Sequence, residues 1–296
     1  MVEMCRSGEA AAGSLRSQMV ERGIALTQKP DWVPDSVSID VPQAARIYDY
    51  ALGGVHNFES DRAFFEQVKQ LMPSAELLAR TNRAFLARAV RWLAETGITQ
   101  FLDLGSGIPT IGNVHEVAQE ANPAAKVMYV DNDPIAVEQS RSLLAGNPRA
   151  GVVEADLRHP ESFLYHRDVL ELLDFAQPVA VLTVAVWHFI PDSADPQQIV
   201  TKIGDALVQG SYLVVSHLGS DPTPQGQAEQ ARAVKLYEST PTPVTVRSAD
   251  EIGALFGAGF EILDPGVCAA TGWFPDPEDA GDPPAPAVLA AVARKR

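Results

Sequence analysis

The sequence predicts an α/β fold: a doubly wound, mostly parallel sheet preceded by a set of helices. Three observations carry this. From Gln100 onward, short apolar runs alternate with helical stretches. The runs are continuous rather than alternating in and out, which marks strands covered on both faces. Before Gln100, apolar residues recur instead with a helical period. Strand–helix alternation at this spacing calls for right-handed crossovers, and hence parallel neighbours.

Taken in order, residues 1–38 mix polarities without a period and are expected to form a disordered tail. Asp40 is expected to cap a helix that has Pro42 near its first turn and ends at Gly53-Gly54. Ala44, Ile47, Tyr48 and Ala51 form its apolar face. Ser60 is expected to cap "DRAFFEQVKQLM", which stops before Pro73. In "SAELLARTNRAFLARAVRWLAETG", Leu77, Leu78, Phe85, Ala89 and Leu93 share one face, and Gly97 ends the helix. These helices make residues 39–97 a helical extension, with the sheet domain in 98–296.

The strand candidates are "FLDL", "KVMYV", "GVVEA", "PVAVLTVAV" and "SYLVVSHL". "NVHEVAQEA", "PIAVEQSRSLLA", "RDVLELLDF" and "DPQQIVTKIGDAL" lie between them as helices. "SDPTPQGQAEQARAVKLYEST" reads as a loop and helix, and Ser248 with Glu251 makes a capping box for "ADEIGALFGAG". "FEIL" and "AVLAAVARKR" read as two strands joined by a long connection, which puts one antiparallel strand in the sheet. The "DPEDAGDPPAPA" between them is expected to be a solvated loop.

The chain has 38 acids against 23 bases, a formal net charge of −15. That balance argues against a nucleic-acid partner and against docking on anionic membrane. The two cysteines, Cys5 and Cys268, read as free thiols in a reducing compartment. The N-terminal stretch has no apolar signal core and no run is long enough to span a bilayer, so a cytoplasmic location is expected. No metal-ligand spacing is present, and no metal site is expected.

"QFLDLGSGIPTIGN" carries the chemistry. Gly105, Ser106 and Gly107 fall in the first strand-to-helix turn, where ligands of doubly wound sheets approach. A G-x-G alone also serves plain tight turns. Asp131 ends the second strand, at the distance expected of a carboxylate that takes ribose hydroxyls. It is read as solvated when no ligand is bound, with Asp133 beside it capping the helix at Pro134. Asp156, past the third strand, could take an adenine amino group or cap a turn. Acids at three successive strand ends suit an adenosine ligand, and NAD stays open on these grounds. Thr110, however, stands where a pyrophosphate-binding loop has its third glycine. Asp103, before the glycines, would repel a pyrophosphate but could hold an ammonium. A phosphate-free ligand such as S-adenosylmethionine therefore ranks first and an NAD-dependent oxidoreductase last.

Several stretches together resemble class I S-adenosylmethionine-dependent methyltransferases. They are "ARIYDYALGGVHNF", "NRAFLARAVRWLAETGITQFLDLGSGIPTIGNVHEVAQ", "YVDNDP", "ADLRHP", "AVWHFIPD" and "GSYLVVSHL". More narrowly, they resemble an actinobacterial S-adenosyl methyltransferase family of unknown acceptor, over about Pro42 to Arg294. Val55-His56 departs from the basic–acidic pair more usual there. The resemblance implies a seven-stranded Rossmann-like domain with the N-terminal helices folded over the cofactor cleft. It places cofactor contacts at Asp103, Gly105, Ser106, Gly107, Asp131, Asn132, Asp156, Leu157 and Ala185. From the cap it adds Tyr50, Gly54, Arg80 and Asn82.

Methyl transfer needs alignment and, for O–H or N–H acceptors, a base. "AVWHFIPD" follows the fourth strand, and His188 is the candidate base; packing or capping is its alternative role. His217 is a second candidate. No "NPPY" follows that strand, so nothing supports methylation of an adenine base or glutamine amide. The expected function is methyl transfer to an unidentified acceptor, expected to be a small molecule. A cofactor-binding regulator or inactive methyltransferase is the alternative.

Overall fold

The computed structural model describes residues 29, 33–34, 37–110, 112–275 and 285–296. The expected tail falls almost wholly outside the described residues, as do Cys5 and most of "DPEDAGDPPAPA". The chain divides into Met1–Val33 and Pro34–Arg296, and the second unit carries the sheet and all the helices named below.

Three helices come first: α1 (Ala44–Ala51), α2 (Glu59–Leu71) and α3 (Ala75–Glu95). Neither expected cap is formed. Asp40 is exposed, and Gln43 is the N-cap residue of α1. Ser60 lies inside α2, its hydroxyl donating to the Ile39 carbonyl at 2.6 Å. One buried carboxylate does the work of both caps. Asp61 Oδ1 accepts from the Gln43 amide at 3.0 Å, and Oδ2 accepts from the Phe58 amide at 2.9 Å. Asp61 also pairs with the fully buried Arg46 at 3.2 Å. Charges so enclosed are tolerable because they are paired and backbone groups take up their hydrogen bonds: the Arg46 Nη atoms donate to the Ser38 and Val41 carbonyls. Helix α3 buries Leu78, Phe85, Ala89 and Leu93 as its period implies, with Leu77 half-buried.

The sheet then builds in strand–helix alternation: β1 (Gln100–Leu104), α4 (Val114–Ala121), β2 (Lys126–Asp131), α5 (Pro134–Leu143) and β3 (Ala150–Glu154). Two short helices, α6 (Pro160–Leu164) and α7 (Arg167–Leu172), lead to β4 (Ala180–Val184). After it come α8 (Pro196–Asp205), β5 (Tyr212–Leu218), α9 (Pro224–Tyr237), α10 (Ala249–Leu255) and β6 (Phe260–Ile262). Then β7 (Cys268–Ala269) and β8 (Val288–Lys295) complete the order. Asp133 caps α5, its carboxylate accepting from the Ile135 amide at 2.8 Å, and the Ser248–Glu251 capping box opens α10.

The strand order is β3-β2-β1-β4-β5-β8-β6, with β7 paired to β8. Pairs among β1 to β5 are parallel, and β8 runs antiparallel to β5 and β6. The sheet thus has eight strands, one more than the seven expected. The extra is the two-residue β7, a piece of the long connection that lies against Leu289 and Ala290. No helix among the described residues is long and apolar enough to cross a membrane.

Strand alternation divides β1 between two cores. Phe101 joins the apolar cluster of α1 to α4, while Leu102 and Leu104 join the opposite cluster with α6 to α8. Asp103 therefore lies on the Phe101 face, under the N-terminal helices, at a position where an apolar side chain would be unremarkable. The chain reverses its direction of travel across the sheet between β1 and β4, so a crevice is expected at their carboxyl ends.

Candidate cofactor and acceptor site

A cavity of about 330 Å³ opens at those carboxyl ends, walled on the far side by α1, α2, α3 and α9. Its floor begins with the glycine loop. Gly105 and Gly107 have φ of +70° and +67°, which side chains rarely tolerate. A Cβ on Gly105 would also come within 2.5 Å of Val186 Cγ2, whereas one on Gly107 would meet open space. The first glycine serves packing, and the second leaves backbone bare towards the cavity. Ser106 lines the same stretch, its buried hydroxyl without a hydrogen-bond partner among the described residues.

Asp131 is buried, not solvated as its place at a strand end implies. Its Oδ2 accepts from the Gly107 amide at 2.7 Å and its Oδ1 from the Asp133 amide at 2.8 Å. Burial pushes its pKa up to about 6, against the pull of those backbone bonds. Asp103 is pushed up to about 7, again by burial, with Arg83 drawing it down and Asp131 pushing it further up. Asn132, Asp156 and Leu157 line the cavity beside them. Asp156 is held by Arg158, whose Nε lies 3.0 and 2.9 Å from its two oxygens. Burial alone would raise the Asp156 pKa, but the Arg158 hydrogen bonds and charge leave it below the usual value.

The β4 end carries Ala185 at φ +58°, its amide donating to Ser216 Oγ at 2.9 Å. Ser216 Oγ bonds Asn82 Oδ1, Asn82 Nδ2 donates to Tyr48 Oη at 2.8 Å, and Tyr48 Oη donates to the Ala79 carbonyl at 3.1 Å. This chain of bonds stitches α1 and α3 to the ends of β4 and β5. Asn82 lines the cavity, but its amide is spent on this stitch.

The other cap residues singled out from the sequence are not brought to the cavity. Tyr50 bonds Glu66 and packs edge-on against Phe65. Arg80 points to solvent and pairs with Glu76 at 2.7 Å. Gly54 is small for another reason: a Cβ there would overlap the Asp49 carboxylate. The α3 residues that do line the cavity include Leu78, Ala79, Asn82, Arg83 and Leu86. They follow the i, i+3, i+4, i+7 rule of one helix face, and position 80 falls off that face.

Past Ala185 a short turn, Trp187–Phe189, carries His188 into the cavity wall. Its Nδ1 is buried without a partner among the described residues, and its ring centroid lies 4.3 Å from Phe189 and 5.6 Å from His217. Burial, then the His217 and Arg247 charges, hold its pKa well below the usual 6.5. His217 Nδ1 lies 2.8 Å from the Leu218 carbonyl, so that nitrogen carries the proton and Nε2 accepts from Arg247 at 2.8 Å. Burial above all pushes His217 down to about 4. Arg247, which no sequence motif marks, is the clamp of this wall. It is 4% exposed and donates to the Trp187 and Ile190 carbonyls, both at 2.9 Å. It also donates to Asp192 at 2.5 Å.

Beyond the histidines the lining is mostly apolar, with Ile47, Ala51, Phe65, Val68, Phe189 and Tyr237 among its members and Gln43, Gln230 and Thr242 as polar ones. Among the described residues the cavity's carboxylates, Asp103, Asp131, Asp133 and Asp156, all stand at the β1 to β3 ends. Among the described residues no three His, Cys, Asp or Glu side chains group as a metal site.

Comparison with known proteins agrees with this geometry. A family model described as S-adenosyl methyltransferase matches residues 30–296. The crystal structure of a Thermobifida fusca YX protein, provisionally described as a methyltransferase, is similar with a TM-score of 0.83 and 39% identity. The match covers 90% of this chain and all of that one. A Streptomyces avermitilis protein of the DUF574 family is similar with a TM-score of 0.82 and 38% identity, over 88% of this chain and all of that one. No curated protein matches the chain.

Proposed function

The chain belongs to the S-adenosyl methyltransferase family and uses S-adenosylmethionine, and on that premise we propose that it methylates a small, largely apolar acceptor held under the helical cap. His188 receives the proton the acceptor gives up. The observation that carries this reading is the division of one cavity into a carboxylate-lined end and an apolar end, with His188 in its wall.

The carboxylate-lined end fits the cofactor. The bare Gly107 backbone leaves room for close approach, and Ser106 beside it lines the same stretch. Each Asp131 oxygen accepts one backbone amide and keeps a lone pair for a ribose hydroxyl. Asp103 suits the ammonium group, and Asn132, Asp156, Leu157 and Ala185 complete the cradle. S-adenosylmethionine supplies an electrophilic methyl group on a sulfonium centre.

The rest is the work of the chain's own residues. The cap excludes water and aligns the acceptor, which accounts for much of the rate gain in an in-line displacement. Burial lowers its pKa and keeps His188 neutral, so its imidazole can accept a proton. Arg247 keeps His217 in one tautomer and holds the His188 turn in place. Among the described residues the apolar end has no carboxylate to attract a cationic acceptor, and the net charge of −15 disfavours a nucleic acid. A reducing, cytoplasmic setting suits the unpaired Cys268.

The test is label transfer from methyl-labelled S-adenosylmethionine into a deproteinised metabolite extract. Label in a small, organic-extractable product supports the reading. Label that enters only added protein or nucleic acid contradicts it.

A further inference from the structure

We infer that Arg83 reads the carboxylate of the cofactor's amino-acid end, acting from helix α3 as the counterpart of Asp103. This rests on the cofactor placement proposed for the carboxylate-lined end and adds to it a residue that decides which sulfur nucleosides bind.

A cofactor with a free α-carboxylate brings a negative group into a cavity already lined by four aspartates. Such a group needs a cation to offset its desolvation. Among the described residues, two permanently cationic side chains line the cavity, Arg83 and Arg158. Arg158 stands at the β3 end, bound to Asp156 through both its Nε and an Nη. Arg83 stands on α3, over the β1 end that carries Asp103.

Covalent geometry decides between them. The ammonium and carboxylate of an α-amino acid share one carbon. Whatever reads the carboxylate must therefore stand beside what reads the ammonium. Arg83 and Asp103 border the same pair of recesses, the main cavity and a small side pocket with Ser106 and Gly107. Arg83 is also the charge that most lowers the Asp103 pKa. A planar guanidinium matches a carboxylate in a two-point contact, while Asp103 accepts from the ammonium. A zwitterion is thus met by an opposed pair, one member from the sheet and one from the cap.

Calorimetry with three nucleosides tests this: S-adenosylhomocysteine, its decarboxylated analogue S-adenosyl-3-thiopropylamine, and 5′-methylthioadenosine, which lacks the amino-acid end. The wild type should prefer S-adenosylhomocysteine over the decarboxylated analogue by roughly 10- to 150-fold, the range of a buried charge-assisted contact. Arg83→Met should bring the two within about threefold and change 5′-methylthioadenosine binding little; Arg83→Lys should recover part of the preference. An Arg83→Met protein that keeps the wild-type preference overturns the inference, as does a wild type with no preference, a result that needs no variant to fold. A wild type that binds none of the three overturns the cofactor placement itself, and this inference with it.

Discussion

The carboxylate of Asp131 holds the amide of Gly107 at 2.7 Å, so the acid at the end of β2 is a strut of the glycine loop. Asp131→Ala should therefore destabilise the ligand-free protein by about 1–3 kcal/mol, through the half-buried amides of Gly107 and Asp133 that lose their acceptor. It should also weaken S-adenosylhomocysteine binding roughly 10- to 150-fold. Asp133→Ala removes only a helix cap, so it should cost about 1 kcal/mol and leave affinity nearly normal. Urea unfolding and calorimetry on both variants separate the two roles.

Acidity gives a second test. The folded pKa values of Asp103 and Asp131, about 7 and about 6, lie above the ordinary 3.8. Between these limits the folded state binds more protons than the unfolded one. Their contribution to stability is complete below pH 4 and is lost as pH rises through 6 and 7. Melting temperature without ligand, relative to an Asp103→Asn variant, should fall from pH 4 to pH 7. Affinity for S-adenosylhomocysteine should rise over pH 6 to 8 as Asp103 ionises to meet the ammonium, and Asp103→Asn should flatten that rise.

His188 separates binding from turnover. With an acceptor in hand, His188→Ala should lower kcat roughly 100- to 10,000-fold, the range of a lost general base. Cofactor affinity should stay within about threefold. Because its pKa lies well below 6.5, His188 should contribute no rising limb to the kcat profile between pH 6 and 8. A limb that disappears in His188→Ala would contradict the neutral-base reading.

Arg247 should matter to fold and rate together. Arg247→Met leaves the Trp187 and Ile190 carbonyls and His217 Nε2 without their donor. A loss of about 3 kcal/mol in urea unfolding is expected, with a fall in kcat larger than any change in cofactor affinity. Arg247→Lys should restore only part of each.

Much of this is legible in the sequence where the physics is local. Gly105 and Gly107 announce a turn, the acids at strand ends announce a polar ligand, and Asp133 before Pro134 announces a cap. The continuous apolar runs mark the sheet, down to its antiparallel last strand. What escapes depends on distant partners. Asp40 and Ser60 are plausible caps by type, but Asp61 reaches both helix starts through space. Arg80 and Arg83 are alike by composition, and only the helix face that meets the sheet distinguishes them. Arg247 gives no signal in a segment without a motif, since its partners lie 30 to 60 residues away. Asp131 is marked by its position, yet its burial under the glycine loop is a tertiary fact that a strand end alone does not reveal.

The most direct test of the central claim is calorimetric titration of the purified protein with S-adenosylhomocysteine and, separately, with NAD. The bare glycine backbone, the strut from Asp131 and the buried Asp103 should give micromolar-range affinity for S-adenosylhomocysteine and far weaker binding of NAD, whose pyrophosphate Asp103 repels. Tighter binding of NAD, or no binding of S-adenosylhomocysteine at all, would contradict it.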